Sequence, residues 1–205
     1  VADQSDLYDA MMLDYATGAL AASAALVVSA HLRVRPAALA VVRSFDRIGG
    51  ALFEVDAPMA DMRADAASVL ARAASTGEEP HPGAANAARL SQLLDNPEAG
   101  SWRFVLPGMM ERRIDGVKDA GLIRLKAGRT VPEHDHDGLE VTLVLKGAFA
   151  DEYGDYGRGD LVIRDASTRH RPRVPQDEDC ICLAATIGSI RPTSFAARLA
   201  QRLFA

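Results

Sequence analysis

Apolar positions recur at two different periods along this chain, and the change from one to the other falls near residue 100. Over the first 75 residues the period is helical. Leu7, Met11 and Tyr15, with Tyr8 and Met12, line one stripe of a helix over Asp6–Tyr15. Gly18 is a natural stop. A second helix is predicted over Ala21–Leu32. Pro36 interrupts it and suits the first turn of a third, Ala37–Ile48, which Gly49 and Gly50 should end. A fourth is predicted over Met59–Ala74. Helices this short are marginal alone, so they must pack on each other or on a partner. Met11, Met12, Met59 and Met62 read as core, although methionine-rich faces also suit adaptable binding surfaces. Thr76–Asn86, TGEEPHPGAAN, reads as a linker with a solvated His81. Ala87–Leu94 adds a short helical turn.

From Ser101 the pattern becomes that of short strands between turn residues: Trp102–Leu106, Glu111–Ile114, Gly121–Leu125, Thr130–His136, Glu140–Ala148, Leu161–Ile163, Arg169–Val174 and Cys180–Ala185. That spacing predicts a sandwich or barrel. Val141, Leu143 and Leu145 have the opposite parity to Glu140, so this strand is apolar on its other face and something must cover that face. Thr193–Phe204 is predicted as an amphipathic helix with Phe195, Leu199, Leu203 and Phe204 on its apolar side.

Composition narrows the class. A chain of 205 residues allows one large or two small domains, and 48% hydrophobic residues fit a soluble globular protein. A net charge of −5 argues against direct nucleic-acid binding. No apolar run approaches the roughly 18 residues that span a bilayer, so no membrane association is expected, and Asp3, Asp6 and Asp9 are the wrong sign for the start of a signal peptide. Cys180 and Cys182 would face the same side of a strand, a poor arrangement for a stapling disulfide. They read as buried, reduced thiols, which favours the cytoplasm.

The chemistry concentrates between Gly128 and Gly147. His134, His136 and Glu140 follow the spacing H-x-H-x3-E, and on a single extended strand the three would share a face. His170, at the edge of another predicted strand, is a fourth candidate ligand. Three imidazoles and a carboxylate suit zinc, iron, nickel or manganese. The polar neighbours Glu133, Asp135 and Asp137 also fit a solvated strand end, but that reading leaves His170 without a role. No catalytic residue can be assigned. Tyr153, Arg164, Arg169 and Arg171 are near enough in sequence to anchor a substrate, with surface placement the plainer expectation for each.

The Gly128–Gly147 run resembles the first cupin motif, G-x5-H-x-H-x3-E-x6-G, with Gly128, His134, His136, Glu140 and Gly147 at every fixed position. The second cupin motif is looser, with Gly159-Asp160 and His170 in place but Arg158 where proline is usual. From Leu7 to Phe204 the chain is similar to the ChrR family of cupin-bearing anti-sigma factors. The residues that carry the likeness are Leu13–Gly18, Ala30–Leu32, Ile48–Leu52, Glu140–Phe149 and Asp179–Thr186. The resemblance implies a multidomain α plus all-β protein. A helical anti-sigma-type domain over 1–75 would be followed by a linker over 76–100 and a cupin, or jelly-roll, domain over 101–205. It implies an anti-sigma factor that grips a group IV (ECF-type) sigma factor through its helices. Its cupin would hold one divalent metal, zinc by family, on His134, His136, Glu140 and His170. That cupin would sense singlet oxygen, organic peroxide or a small molecule.

One departure stands out. The family's N-terminal zinc pattern is H-x3-C-x2-C with a further upstream histidine. Here His31 is present, but Arg35 and Ala38 replace the cysteines and Asp6 falls near the upstream histidine's place. No metal is therefore expected in the helical domain, and an ionic cluster of Asp6, His31 and Arg35 is a candidate replacement. The negative balance of residues 1–75, six Lys and Arg against nine Asp and Glu, suits a basic partner surface. The competing reading is a cupin metalloenzyme, a dioxygenase or isomerase with a helical accessory domain. Pairing into a homodimer stays open.

Overall fold

The computed structural model describes residues 3–55 and 90–192. The predicted helices over 59–74 and 193–204 and the linker over 76–86 lie outside the described residues. Helix α1 (Gln4–Ala16) starts on Asp3, whose side chain accepts a hydrogen bond from the Ser5 N–H at 3.2 Å. Helix α2 (Ala22–Val34) is followed by one 3-10 turn at Pro36–Ala38 and by α3 (Leu39–Val55). Gly49 and Gly50 do not end the third helix, which runs through both. A glycine inside a helix costs about 1 kcal/mol relative to alanine but forbids nothing, and α3 is held by packing on α1. Among the described residues no single helix is long and apolar enough to cross a membrane.

Ten strands follow among the described residues: β1 (Arg103–Leu106), β2 (Met109–Arg113), β3 (Ala120–Leu125), β4 (His134–His136), β5 (Leu139–Lys146), β6 (Ala148–Asp151), β7 (Gly154–Gly157), β8 (Leu161–Arg164), β9 (Cys180–Ile187) and β10 (Ile190–Pro192). One antiparallel sheet has the order β1-β2-β3-β9-β5-β8. Opposite it lie the pairs β4–β10 and β6–β7, tied in by isolated bridges at His134–His170, Thr130–Arg173 and Ala150–Arg173. The result is a two-layered jelly roll. The strand expected over Thr130–His136 is reduced to its last three residues, and that expected over Arg169–Val174 to isolated bridges. Pro132 and Pro172 explain both reductions, since neither can donate to a ladder.

The large sheet has two apolar faces, as the parity of β5 requires. Val141, Leu143 and Leu145 of β5, Leu161 and Ile163 of β8, and Ile181, Leu183 and Ala185 of β9 join Met11, Met12, Leu26, Val27 and Val28 of the helices in one buried cluster. The helices are what cover that face. Val144, Val162, Cys180 and Cys182 point into the barrel with Leu125, Phe149 and Val174.

Candidate metal centre

His134 and His136 occupy β4, and Glu140 is the second residue of β5. The four-residue spacing from His136 to Glu140 is not one continuous strand. The chain turns at Asp137–Gly138 and crosses from the small sheet to the large one, so the histidines and Glu140 face each other across the barrel. Gly138 permits the crossing, because a Cβ there would collide with the Ile187 carbonyl oxygen. His170 enters beside β4 through mutual backbone hydrogen bonds with His134, each 3.1 Å.

The four side chains converge. The Nε2 of His170 lies 3.0 Å from Nε2 of His134, 3.3 Å from Nε2 of His136 and 3.4 Å from Oε2 of Glu140, which is 3.5 Å from Nε2 of His136. All four offered atoms lie within 4.8 Å of one another, and none of the four residues is more than 9% exposed. Outer contacts orient the rings. The Nδ1–H of His134 donates to the Pro132 carbonyl at 2.9 Å and that of His170 to Asp151 Oδ2 at 3.2 Å, which leaves each Nε2 lone pair aimed at the centre. Burial pushes the pKa of His134 and of His136 down, towards the neutral form a metal needs. Burial acts the same way on His170, but hydrogen bonds to Asp151 and Glu140 outweigh it and raise it to about 9. Burial would raise Glu140, and the surrounding histidines overcome that and lower it. Without a metal, His170 is the group that takes the positive charge between two carboxylates. The cluster suggests a metal site.

Behind it sits a network that the sequence analysis missed. Asp151 accepts from His170, from Arg164 Nη2 at 2.8 Å and from the Tyr153 N–H at 2.8 Å. Arg164 also bonds the Tyr156 hydroxyl at 2.6 Å and lies 4.9 Å from the Tyr153 ring centre. The expected surface placement of Arg164 is corrected here: it is 4% exposed. Its even-numbered parity with Val162 directs it into the barrel and could have revealed this. Tyr153 is 47% exposed. Arg169 and Arg171 are exposed and lie 3.8–3.9 Å from Glu133 and Asp135.

The proposed ionic cluster of Asp6, His31 and Arg35 does not form. His31 is buried, and its Nδ1–H donates to the Gly159 carbonyl of the cupin at 3.1 Å while the Tyr8 hydroxyl donates to its Nε2 at 3.0 Å. Burial lowers its pKa and keeps it neutral, which is what this pairing needs. Arg35 reaches Asp160 at 2.7 Å, and Asp6 is exposed elsewhere on α1. The cupin loop offers both residues a partner that Asp6 cannot match. Gly159 has a φ of +91°, and a Cβ there would run into Arg35 Nε at 2.9 Å. Cys180 and Cys182 are buried and free with sulfurs 3.6 Å apart, and the Cys180 contact and burial push the Cys182 thiol well up.

Residues 94–188 match the model of the ChrR cupin-like domain. Over 203 residues the chain is 36% identical to the anti-sigma-E factor ChrR of Cereibacter sphaeroides, covering 96% of this chain and 95% of that protein. The chain belongs to the ChrR family. It also superimposes on the crystal structure of Rhodobacter sphaeroides SigE in complex with the anti-sigma ChrR with a TM-score of 0.68 and 34% identity, covering 87% of this chain and 96% of that one. The ChrR cupin match contains all four converging residues, and the longer alignment takes in the helices as well.

Proposed function

We propose that this chain is a cytoplasmic anti-sigma factor that holds an ECF-type sigma factor through its helical domain, over residues 1–75. A linker over 76–100 joins that domain to a cupin over 101–205, which senses oxidative stress, as singlet oxygen or organic peroxide, or a small molecule. One observation carries the reading: the likeness to a protein named for anti-sigma activity runs through helices and cupin alike, at 36% identity over 203 residues.

In this reading His134, His136, Glu140 and His170 hold one divalent metal, zinc. Ligands about 2.1 Å from zinc in a tetrahedron stand about 3.4 Å apart, and the four short separations of 3.0–3.5 Å in the cluster support that fit. Zinc supplies charge and geometry but no redox step of its own. Modification of a ligand or thiol, or a bound small molecule, would then carry the signal. No metal is proposed for the helical domain, since both nitrogens of His31 are committed to Gly159 and Tyr8.

Co-expression with each ECF-type sigma factor of its own genome, followed by co-purification and metal analysis, tests this. A 1:1 complex with about one zinc per chain is expected. Absence of any sigma partner, together with bound iron and oxygen-dependent turnover, would replace it with the metalloenzyme reading. Two zincs per chain would overturn the metal-free helical domain.

A further inference from the structure

The start of α1 and the ligand set are joined by side chains that neither module supplies alone. Among the described residues strand β8 is an edge of the six-stranded sheet, with no strand paired to one side of its backbone. The carboxamide of Gln4, in the first turn of α1, lies against that side. Its Nε2 donates to the Leu161 carbonyl and its Oε1 accepts from the Ile163 N–H, each at 3.4 Å. The same Oε1 accepts from Arg164 Nη1 at 2.8 Å. All three contacts demand one orientation of the amide. Arg164 then bonds Asp151 through Nη2, and Asp151 bonds Nδ1 of His170. The path from helix to ligand is continuous and buried at its centre, where the Arg164 and Asp151 side chains are 5% and 0% exposed.

We propose that Arg164 is a positioning residue that couples His170 of the ligand set to helix α1 through Asp151 and Gln4, so that occupancy of the metal site sets how firmly α1 is held to the cupin. This rests on the reading of the four-residue cluster as a metal site. With a metal on its Nε2, His170 is fixed in place and fixes Asp151 by its Nδ1–H; Asp151 and the tyrosines fix the guanidinium plane, and the guanidinium presents Nη1 to Gln4. Without the metal, only the Glu140 side chain and the neighbouring imidazoles stand against His170 Nε2, a hydrogen bond in place of a coordinate bond, so Asp151 and Arg164 are held to a less rigid anchor. Coupling of this kind is reciprocal: whatever factor the metal adds to α1 docking, docking returns to metal affinity.

The test uses the full chain, loaded with Zn²⁺ or stripped by a chelator, with amide hydrogen exchange read by NMR at Ile163 and in the first turn of α1. Stripping zinc should speed exchange at these amides by about tenfold in the unaltered chain. In Gln4→Leu the same amides should exchange at one rate with or without zinc, and zinc should bind more weakly by the same factor. Gln4→Glu, whose carboxylate still accepts from Arg164 and Ile163, should keep the zinc dependence. Met12→Ala loosens α1 without touching the path. It should speed exchange and keep the dependence, which separates coupling from mere loss of structure. Equal exchange with and without zinc in the unaltered chain, or full zinc dependence in Gln4→Leu, would overturn the inference while leaving the metal reading intact. A folded chain that takes up no zinc would overturn both.

Discussion

The two faces of the six-stranded sheet carry out different tasks with the same strands. Towards the helices every inward residue of β5, β8 and β9 is aliphatic, and contact is made by shape and burial. Towards the barrel the same strands present Glu140, Arg164 and the two cysteines beside Val144 and Val162. An apolar face tolerates small shifts, since dispersion and burial have little direction. The barrel face does not, because each buried polar atom depends on a particular partner. One strand can therefore anchor a helical module on one side and hold a rigid ligand set on the other, with side-chain parity keeping the two apart.

The largest test of this contrast is Asp151→Ala. It strands the Arg164 charge and removes the acceptor that orients His170. Urea unfolding should show a loss of about 3–5 kcal/mol, together with reduced metal content. Met12→Ala acts on the other face and should cost about 2–5 kcal/mol for a fully buried side chain, with metal content unchanged when zinc is in excess. Metal lost there as fully as in Asp151→Ala would mean that the cluster leans on the helical face for more than the Gln4 path. Asp179, in the loop before β9, adds a pH arm. Burial pushes its carboxyl up, but the Ala127 N–H, Lys126 and Arg124 prevail and bring it to about 2. Its folded pKa is below the unfolded value of about 3.9, so the pairing stabilises the chain above about pH 4 and is lost as pH falls towards 2, an effect of about 2 kcal/mol. Asp179→Asn should flatten that part of the stability–pH curve. Arg35→Ala should do least. Its bond to Asp160 joins the modules, yet the two side chains are 52% and 36% exposed, so a loss below about 1 kcal/mol is expected by denaturant unfolding. A larger loss would mean that the polar rim, and not the apolar face, holds the helices on.

The convergence of His134, His136, Glu140 and His170 was legible because potential ligand types and motif glycines lie within one short run, with His170 completing the set. The shared core was legible through the parity of Val141, Leu143 and Leu145, which required a cover without naming it. The strand breaks at Pro132 and Pro172 were present in the sequence too, but the apolar pattern overrode them in the reading. What could not be read was long-range. Gln4 meets Arg164 across 160 residues and His31 meets Gly159 across 128, and neither pairing leaves a periodic trace. The sequence pairs His31 and Arg35 with Asp6 only because Asp6 falls near the place of the family's upstream histidine, while the fold supplies a loop from the other module. The continuity of α3 through Gly49 and Gly50 was hidden for another reason: local propensity favours a stop, and packing on α1 overrides it.

The single cluster shared by helices and sheet has a consequence for synthesis. Val27 and Val28 find their burial against β9, whose Leu183 leaves the ribosome about 150 residues later. At about 5–20 residues per second the helices wait on the order of ten seconds with that apolar stripe unmet by its own chain. Through that interval the nascent helices are sticky, and whatever meets them first, a chaperone or a sigma factor already in the cell, meets a surface that the finished protein keeps for itself.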